Sequence, residues 1–136
     1  MTARAKELRY AVDLASGVLR DENGVQLEVP GDWTPEHLLL AALLRCTLKS
    51  LRHHAERAGL RVVAADGSGR AVVTRREEDG RYALVEAALD LAVGLAPQPG
   101  KEELAELLAK AERDCFVGAS LRVEPSYRWT VNGAAG

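Results

Sequence analysis

The segment that most constrains the fold of this 136-residue chain is HLLLAALL, His37 to Leu44, which is apolar on every helical face. Thr34-Pro35-Glu36 immediately precedes it and reads as a helix start: a hydroxyl cap, proline at the first helical position and a carboxylate in the first turn. The spacing predicts one long helix from Thr34 to about Ala58, with Gly59 closing it in the left-handed conformation. Its second half, LKSLRHHAERAG, keeps only Leu48, Leu51, Ala55 and Ala58 on one stripe. A helix that is apolar all round must be enclosed on all sides, and a small sheet covers one side only. A second layer from the same chain, or another subunit, is therefore expected against its first half.

The flanking sequence reads as strands and one further helix. LRYAVDL and GVQLEV, between Glu7 and Val29, form a hairpin whose tight turn is assigned to Asn23-Gly24. After Gly59, extended runs at Leu60–Ala65, Arg70–Arg76 and Arg81–Val93 are separated by DGSG and EEDG, and predict an antiparallel meander. LAPQPG ends the third run. KEELAELLAKAERDC then aligns Leu104, Leu107, Leu108, Ala111 and Cys115 on one amphipathic helix face. Leu121, Val123, Tyr127, Trp129 and Val131 alternate with polar residues in a final strand, where Pro125 suggests an edge or a bulge, and GAAG reads as a disordered tail. With 47% hydrophobic residues, the chain predicts a single α+β domain spanning 1–136.

Charge narrows the function. Eighteen basic residues against 20 acidic ones leave a net charge of -2, and aromatic residues make up 4%. A chain with no basic stripe, interleaved aromatics or zinc knuckle is not expected to bind nucleic acid. The start, MTARAKELRYAVDL, has no secretory apolar core, and no run approaches the ~20 apolar residues of a membrane span, so a cytoplasmic protein without membrane attachment is expected. In that reducing compartment a permanent disulfide is disfavoured, which leaves Cys46 and Cys115 as buried bystanders, metal ligands or a working redox pair. A metal site on Cys46 and His53, with His54 or Cys115 as a further ligand, fits poorly, because the seven residues of helix between Cys46 and His53 span about 10 Å. No cofactor is implied by any motif.

Cys46 lies mid-helix, where the helix dipole does not activate a thiol, so activation would need a nearby cation. Arg45, Lys49 and His53 are candidates on the helix itself, with Arg9 and Arg20 in the preceding hairpin. TPEHLLLAALLRC, Thr34 to Cys46, resembles the proline-glutamate-x-leucine-leucine helix that leads to the peroxidatic cysteine of OsmC/Ohr proteins. DCFVGASL resembles that family's segment around its second cysteine, usually cysteine-proline-x-serine, and the order of elements is similar over nearly the whole chain.

The resemblance implies an OsmC-like α+β fold assembled as an intertwined homodimer, with the long helices packed centrally. It implies thiol-dependent reduction of an organic hydroperoxide: Cys46 attacks the O–O bond and becomes a sulfenic acid, Cys115 condenses with it, and an external dithiol reduces the disulfide. Glu36 would hold the family's catalytic arginine, although a charge in the first helical turn is an equally simple reading of that residue. Where the family carries that arginine, near the end of the first strand, this sequence has Asp13 to Ser16, with Arg20 and then Arg9 as the nearest basic residues. Phe116 replaces the proline after the second cysteine, Gly118 and Ala119 precede Ser120, and Arg45 stands where small residues are common. These departures resemble a divergent branch. The alternative is a non-catalytic relative that holds a small hydrophobic ligand in an interface pocket.

Overall fold

The computed structural model describes residues 5–136 in two compact units, one ending at Thr34 and one running from Pro35 to Gly136. The first four residues, where the reading of a missing leader begins, lie outside the described residues. In the first unit β1 (Val12–Ala15), β2 (Val18–Asp21) and β3 (Gln26–Leu27) pair antiparallel in that order. The tight turn expected at Asn23-Gly24 is instead at Ser16-Gly17, whose φ angles of 51° and 77° suit a two-residue hairpin loop. VLRD, between the two runs expected as strands, is thereby a strand itself. Asn23-Gly24 makes a second, wider turn. There Asp21 Oδ1 accepts the Asn23 and Val25 N–H groups, each at 2.9 Å. The register stacks Leu14, Leu19 and Leu27 on one face with Val12. Val12, Leu14 and Leu27 are each more than half exposed.

In the second unit α1 (Pro35–Arg57) has the expected bounds. Its end is a left-handed cap: Gly59 has φ 77°, its N–H donates to the Glu56 carbonyl at 3.0 Å, and the Leu60 N–H donates to Ala55 at 2.8 Å. β4 (Arg61–Arg75) and β5 (Tyr82–Ala96) follow as one long antiparallel hairpin around the EEDG turn. β4 runs straight through DGSG, so the expected meander of three strands is a hairpin of two. Gly67 and Gly69 serve a different need from turning. A Cβ at Gly67 would lie 2.9 Å from Leu91 Cδ2 and 3.1 Å from Leu44 Cδ2, and one at Gly69 would lie 2.9 Å from Leu89 Cδ2 and 3.5 Å from Leu40 Cδ2. The glycines let the apolar helix face descend onto the strand.

α2 (Lys101–Arg113) and the short α3 (Phe116–Ser120) come next, then β6 (Ser126–Val131) and β7 (Ala134–Ala135). β6 pairs parallel to β5 and antiparallel to β7, giving the order β4-β5-β6-β7. The final strand is shorter than expected, because Leu121 and Val123 precede it. Pro125 ends that approach and leaves β6 inside the sheet. Part of the GAAG tail is β7, reached through a turn at Asn132-Gly133, where φ is 51° and 85°.

The helices cover one sheet face. Leu89, Leu91, Val93 and Leu95 of β5 and Trp129 and Val131 of β6 meet Leu43, Leu51 and Ala55 of α1 and Leu107, Leu108 and Ala111 of α2 in one core. On the opposite face Arg70 and Arg128 flank Asp90, at 2.8 Å and 3.5 Å, beside an open cavity of about 300 Å³. The first half of α1 is covered only in part: Leu43 is 1% exposed, whereas Leu38 to Ala42 are all half-buried. Among the described residues no helix is long and apolar enough to cross a membrane. If the glycines are clearance sites, Gly67→Val should lower unfolding free energy by about 1–3 kcal/mol through overpacking, although valine favours strands. Urea denaturation checks this, and an unchanged midpoint would show that the strand has room to spare.

Candidate functional site

Cys46 and Cys115 meet where the α2–α3 junction crosses α1. Cys46 is carried on the middle of α1, eleven residues from its start at Pro35. Cys115 is not the last residue of the second helix, as its place on the apolar stripe suggested. Asp114 closes α2, and Cys115 caps the N-terminus of α3 in an extended conformation, its Sγ accepting the Gly118 N–H at 3.4 Å. The next amide toward Cys115, the Val117 N–H, donates to Cys46 Sγ at 3.5 Å. Two neighbouring amides of one turn thus hold the two sulfurs.

Thr47, the residue after Cys46, is fully buried. Its hydroxyl donates to the Leu43 carbonyl at 2.8 Å and lies 3.5 Å from Cys115 Sγ. A hydroxyl has one proton, which the Leu43 carbonyl and the Cys115 sulfur share as alternative acceptors. Gly118 packs beneath: a Cβ there would come within 3.1 Å of the Tyr127 hydroxyl and 3.5 Å of Cys115 Sγ. Tyr127 lies parallel to Trp129, with ring centroids 6.5 Å apart.

Burial sets the electrostatics. Cys115 is 0% exposed, and desolvation pushes its thiol upward; hydrogen bonds from Thr47 and Gly118 oppose the shift, and the Cys46 sulfur reinforces it. Tyr127 is pushed up to about 12, first by burial and then by the negative charge Cys115 would carry if ionised, so it stays a neutral phenol. Cys46 is half-buried. The pair is therefore unequal: one accessible sulfur, and one enclosed thiol that keeps its proton.

The other residues singled out from sequence are not all at this place. Glu36 is exposed in the first turn of α1, ten residues and about 15 Å along the axis from Cys46. Arg45, Lys49 and His53 are exposed on α1. Arg9 is ion-paired with Glu7 at 2.9 Å, and Arg20 lies opposite Asp13 in the first unit's sheet. His54, weighed from sequence as a metal ligand, has a side chain 13% exposed, and its Nε2 donates to Asp114 Oδ2 at 2.8 Å. Sequence reasoning missed Thr47, Asp114, Gly118 and Tyr127. The signal for Thr47 was its place beside Cys46, seven residues from His54 on one helix face. Ser50, on the same side of α1, is buried with no hydrogen-bond partner for its hydroxyl.

The raised Cys115 thiol makes stability depend on pH in a definite sense. In the unfolded chain a thiol ionises near ~8.5, while folded Cys115 keeps its proton to higher pH. The stabilisation is complete below ~8.5 and is lost progressively as pH rises toward the raised value. Under reducing conditions, the stability advantage of wild type over Cys115→Ala should therefore be larger at pH 7 than at pH 10.5. An advantage equal at both pH values would show that Cys115 titrates as an ordinary thiol.

The fold has known counterparts. Solved structures that match include an OsmC-like protein of unknown function from Vibrio cholerae (16% identity, 82% of each chain, TM-score 0.72) and an OsmC-like protein from Mycoplasma pneumoniae (14%, 94% of this chain and 99% of that one, TM-score 0.69). An organic hydroperoxide resistance protein from Elizabethkingia anophelis also matches (21%, 94% and 98%, TM-score 0.64). At such identities the likeness is one of fold. No protein with a curated description matches by sequence. The family model described as OsmC-like protein matches residues 29–130, three-quarters of the chain and all of the site, and by that match the chain belongs to the OsmC family.

Proposed function

We propose that the protein reduces organic hydroperoxides through Cys46 and Cys115 and so detoxifies peroxides in the cytoplasm. One observation carries the reading: two sulfurs held by adjacent amides, one accessible and one enclosed and protonated. In the first step the Cys46 sulfur attacks the distal peroxide oxygen and the O–O bond breaks, so that Cys46–SH and ROOH become Cys46–SOH and ROH. In the second, Cys115 attacks that sulfur, its proton leaves with the hydroxyl as water, and a Cys46–Cys115 disulfide forms. An external dithiol then reduces the disulfide by exchange, restoring both thiols and becoming a disulfide itself. An enclosed resolving thiol suits this order, because Cys115 stays unreactive until its neighbour is oxidised. Glu36, in the first turn of α1, is proposed to pair with an arginine.

Two features support a homodimer as the working form. The first unit turns Val12, Leu14 and Leu27 outward on one face, and Leu38 to Ala42 of α1 are covered only in part by their own chain. Apolar surface of this extent is what an obligate partner buries. Sedimentation at micromolar concentration should read two chains; a monomer would contradict this.

The activity is tested by mixing the reduced protein with stoichiometric cumene hydroperoxide or hydrogen peroxide and following free thiols. Both thiols should disappear, faster with the organic peroxide, and Cys46→Ser should react no faster than a free thiol. Cys115→Ser should lose its single thiol to higher oxidation states in excess peroxide. Thiol loss in wild type at the rate of a free thiol would overturn the reading and leave the ligand-binding relative in its place.

A further inference from the structure

The segment Asp114–Gly118 lies along α1 in the reverse direction, as a ladder of contacts. Asp114 meets His54, Cys115 meets Thr47, the Val117 amide meets Cys46, and Gly118 approaches the Leu43 side chain. At the sulfur end every contact is weak: three sulfur contacts at 3.4 to 3.5 Å. At the other end the His54 Nε2–H donates to Asp114 Oδ2 at 2.8 Å, and Arg113 donates to both oxygens of the same carboxylate at 2.9 Å. Asp114 is thereby held from two sides, and these donors keep its carboxyl well below the usual range. It is also the residue covalently joined to Cys115.

We infer that His54 is a positioning residue for the redox pair: through Asp114 it fixes the α2–α3 junction on α1 and so holds Cys115 within reach of Cys46. His54 stands eight residues, about 12 Å along the helix, from Cys46 and does not touch the reacting atoms. Its effect acts on the effective concentration of the Cys115 thiol at Cys46. A junction tied at one end by a strong hydrogen bond samples fewer positions than one held only by sulfur contacts, and the closed disulfide is favoured accordingly. The inference rests on the proposed redox reading of the two cysteines.

The test is the equilibrium of the Cys46–Cys115 disulfide against reduced and oxidised dithiothreitol, which exchanges one disulfide for another and needs no peroxide. Relative to wild type, His54→Ala should lower the disulfide equilibrium constant about tenfold, a shift of about 30 mV toward easier reduction. His54→Gln places an amide N–H near the Nε2 position and should return the constant to within about twofold of wild type. His54→Asn, whose amide is too short to reach Asp114, should behave as His54→Ala and serves in its place if that variant does not fold. Urea midpoints measured alongside separate a loss of fold from a shift in potential. An unchanged constant in the folded His54→Ala or His54→Asn protein, or no rescue by glutamine, would overturn the inference while leaving the redox pair intact. Failure of the wild type to form the disulfide would overturn both.

Discussion

The site depends on a buried crossing: the α2–α3 junction packed against the middle of α1, with Cys115 sealed at the contact. Helix packing alone would bring a stripe of leucines to that place. Here the stripe of α1 turns polar after Leu43, and Thr47 and His54 each meet a residue of the junction. Burying polar groups is unfavourable unless they are paired, so these contacts specify the register of the junction on the helix more sharply than apolar packing would. The consequence is chemical. The same burial that makes the crossing compact holds Cys115 as a thiol, whereas Cys46, at the edge of the stripe, remains accessible.

The sheet makes the crossing possible. α1 can lie close to β4 because Gly67 and Gly69 leave room for Leu44 and Leu40, and the core residues of β5 and β6 then meet both long helices from below. Tyr127 and Trp129 extend this floor beneath the junction, where Gly118 permits close approach of the tyrosine hydroxyl. Trp129 Nε1–H donates to Glu112 at 2.9 Å, which ties β6 to the last turn of α2 just before Cys115. The floor, the helix and the junction therefore share one packing arrangement.

Much of this was legible in the sequence. The bounds of α1 followed from Thr34, Pro35 and Gly59, because capping chemistry is local. The unequal places of Cys46 and Cys115, one beyond an apolar run and one on an apolar stripe, also mark them in the sequence. DGSG was misread because glycine serves both turning and close approach, and sequence does not separate the two until the partner surface is known. The Ser16-Gly17 turn was passed over for Asn23-Gly24, the stronger hairpin signal in isolation. Thr47, His54 and Asp114 were not legible as a group, because each is an ordinary polar helix residue until tertiary structure pairs it.

The central claim is that Cys46 and Cys115 work together. It is tested most directly by a non-reducing peptide map of the protein after one equivalent of an alkyl hydroperoxide. The Cys46 and Cys115 peptides should be recovered joined, with the loss of two hydrogens and one alcohol released per disulfide. Recovery of both peptides as free thiols, or of Cys46 as a sulfinic acid beside a free Cys115, would contradict it.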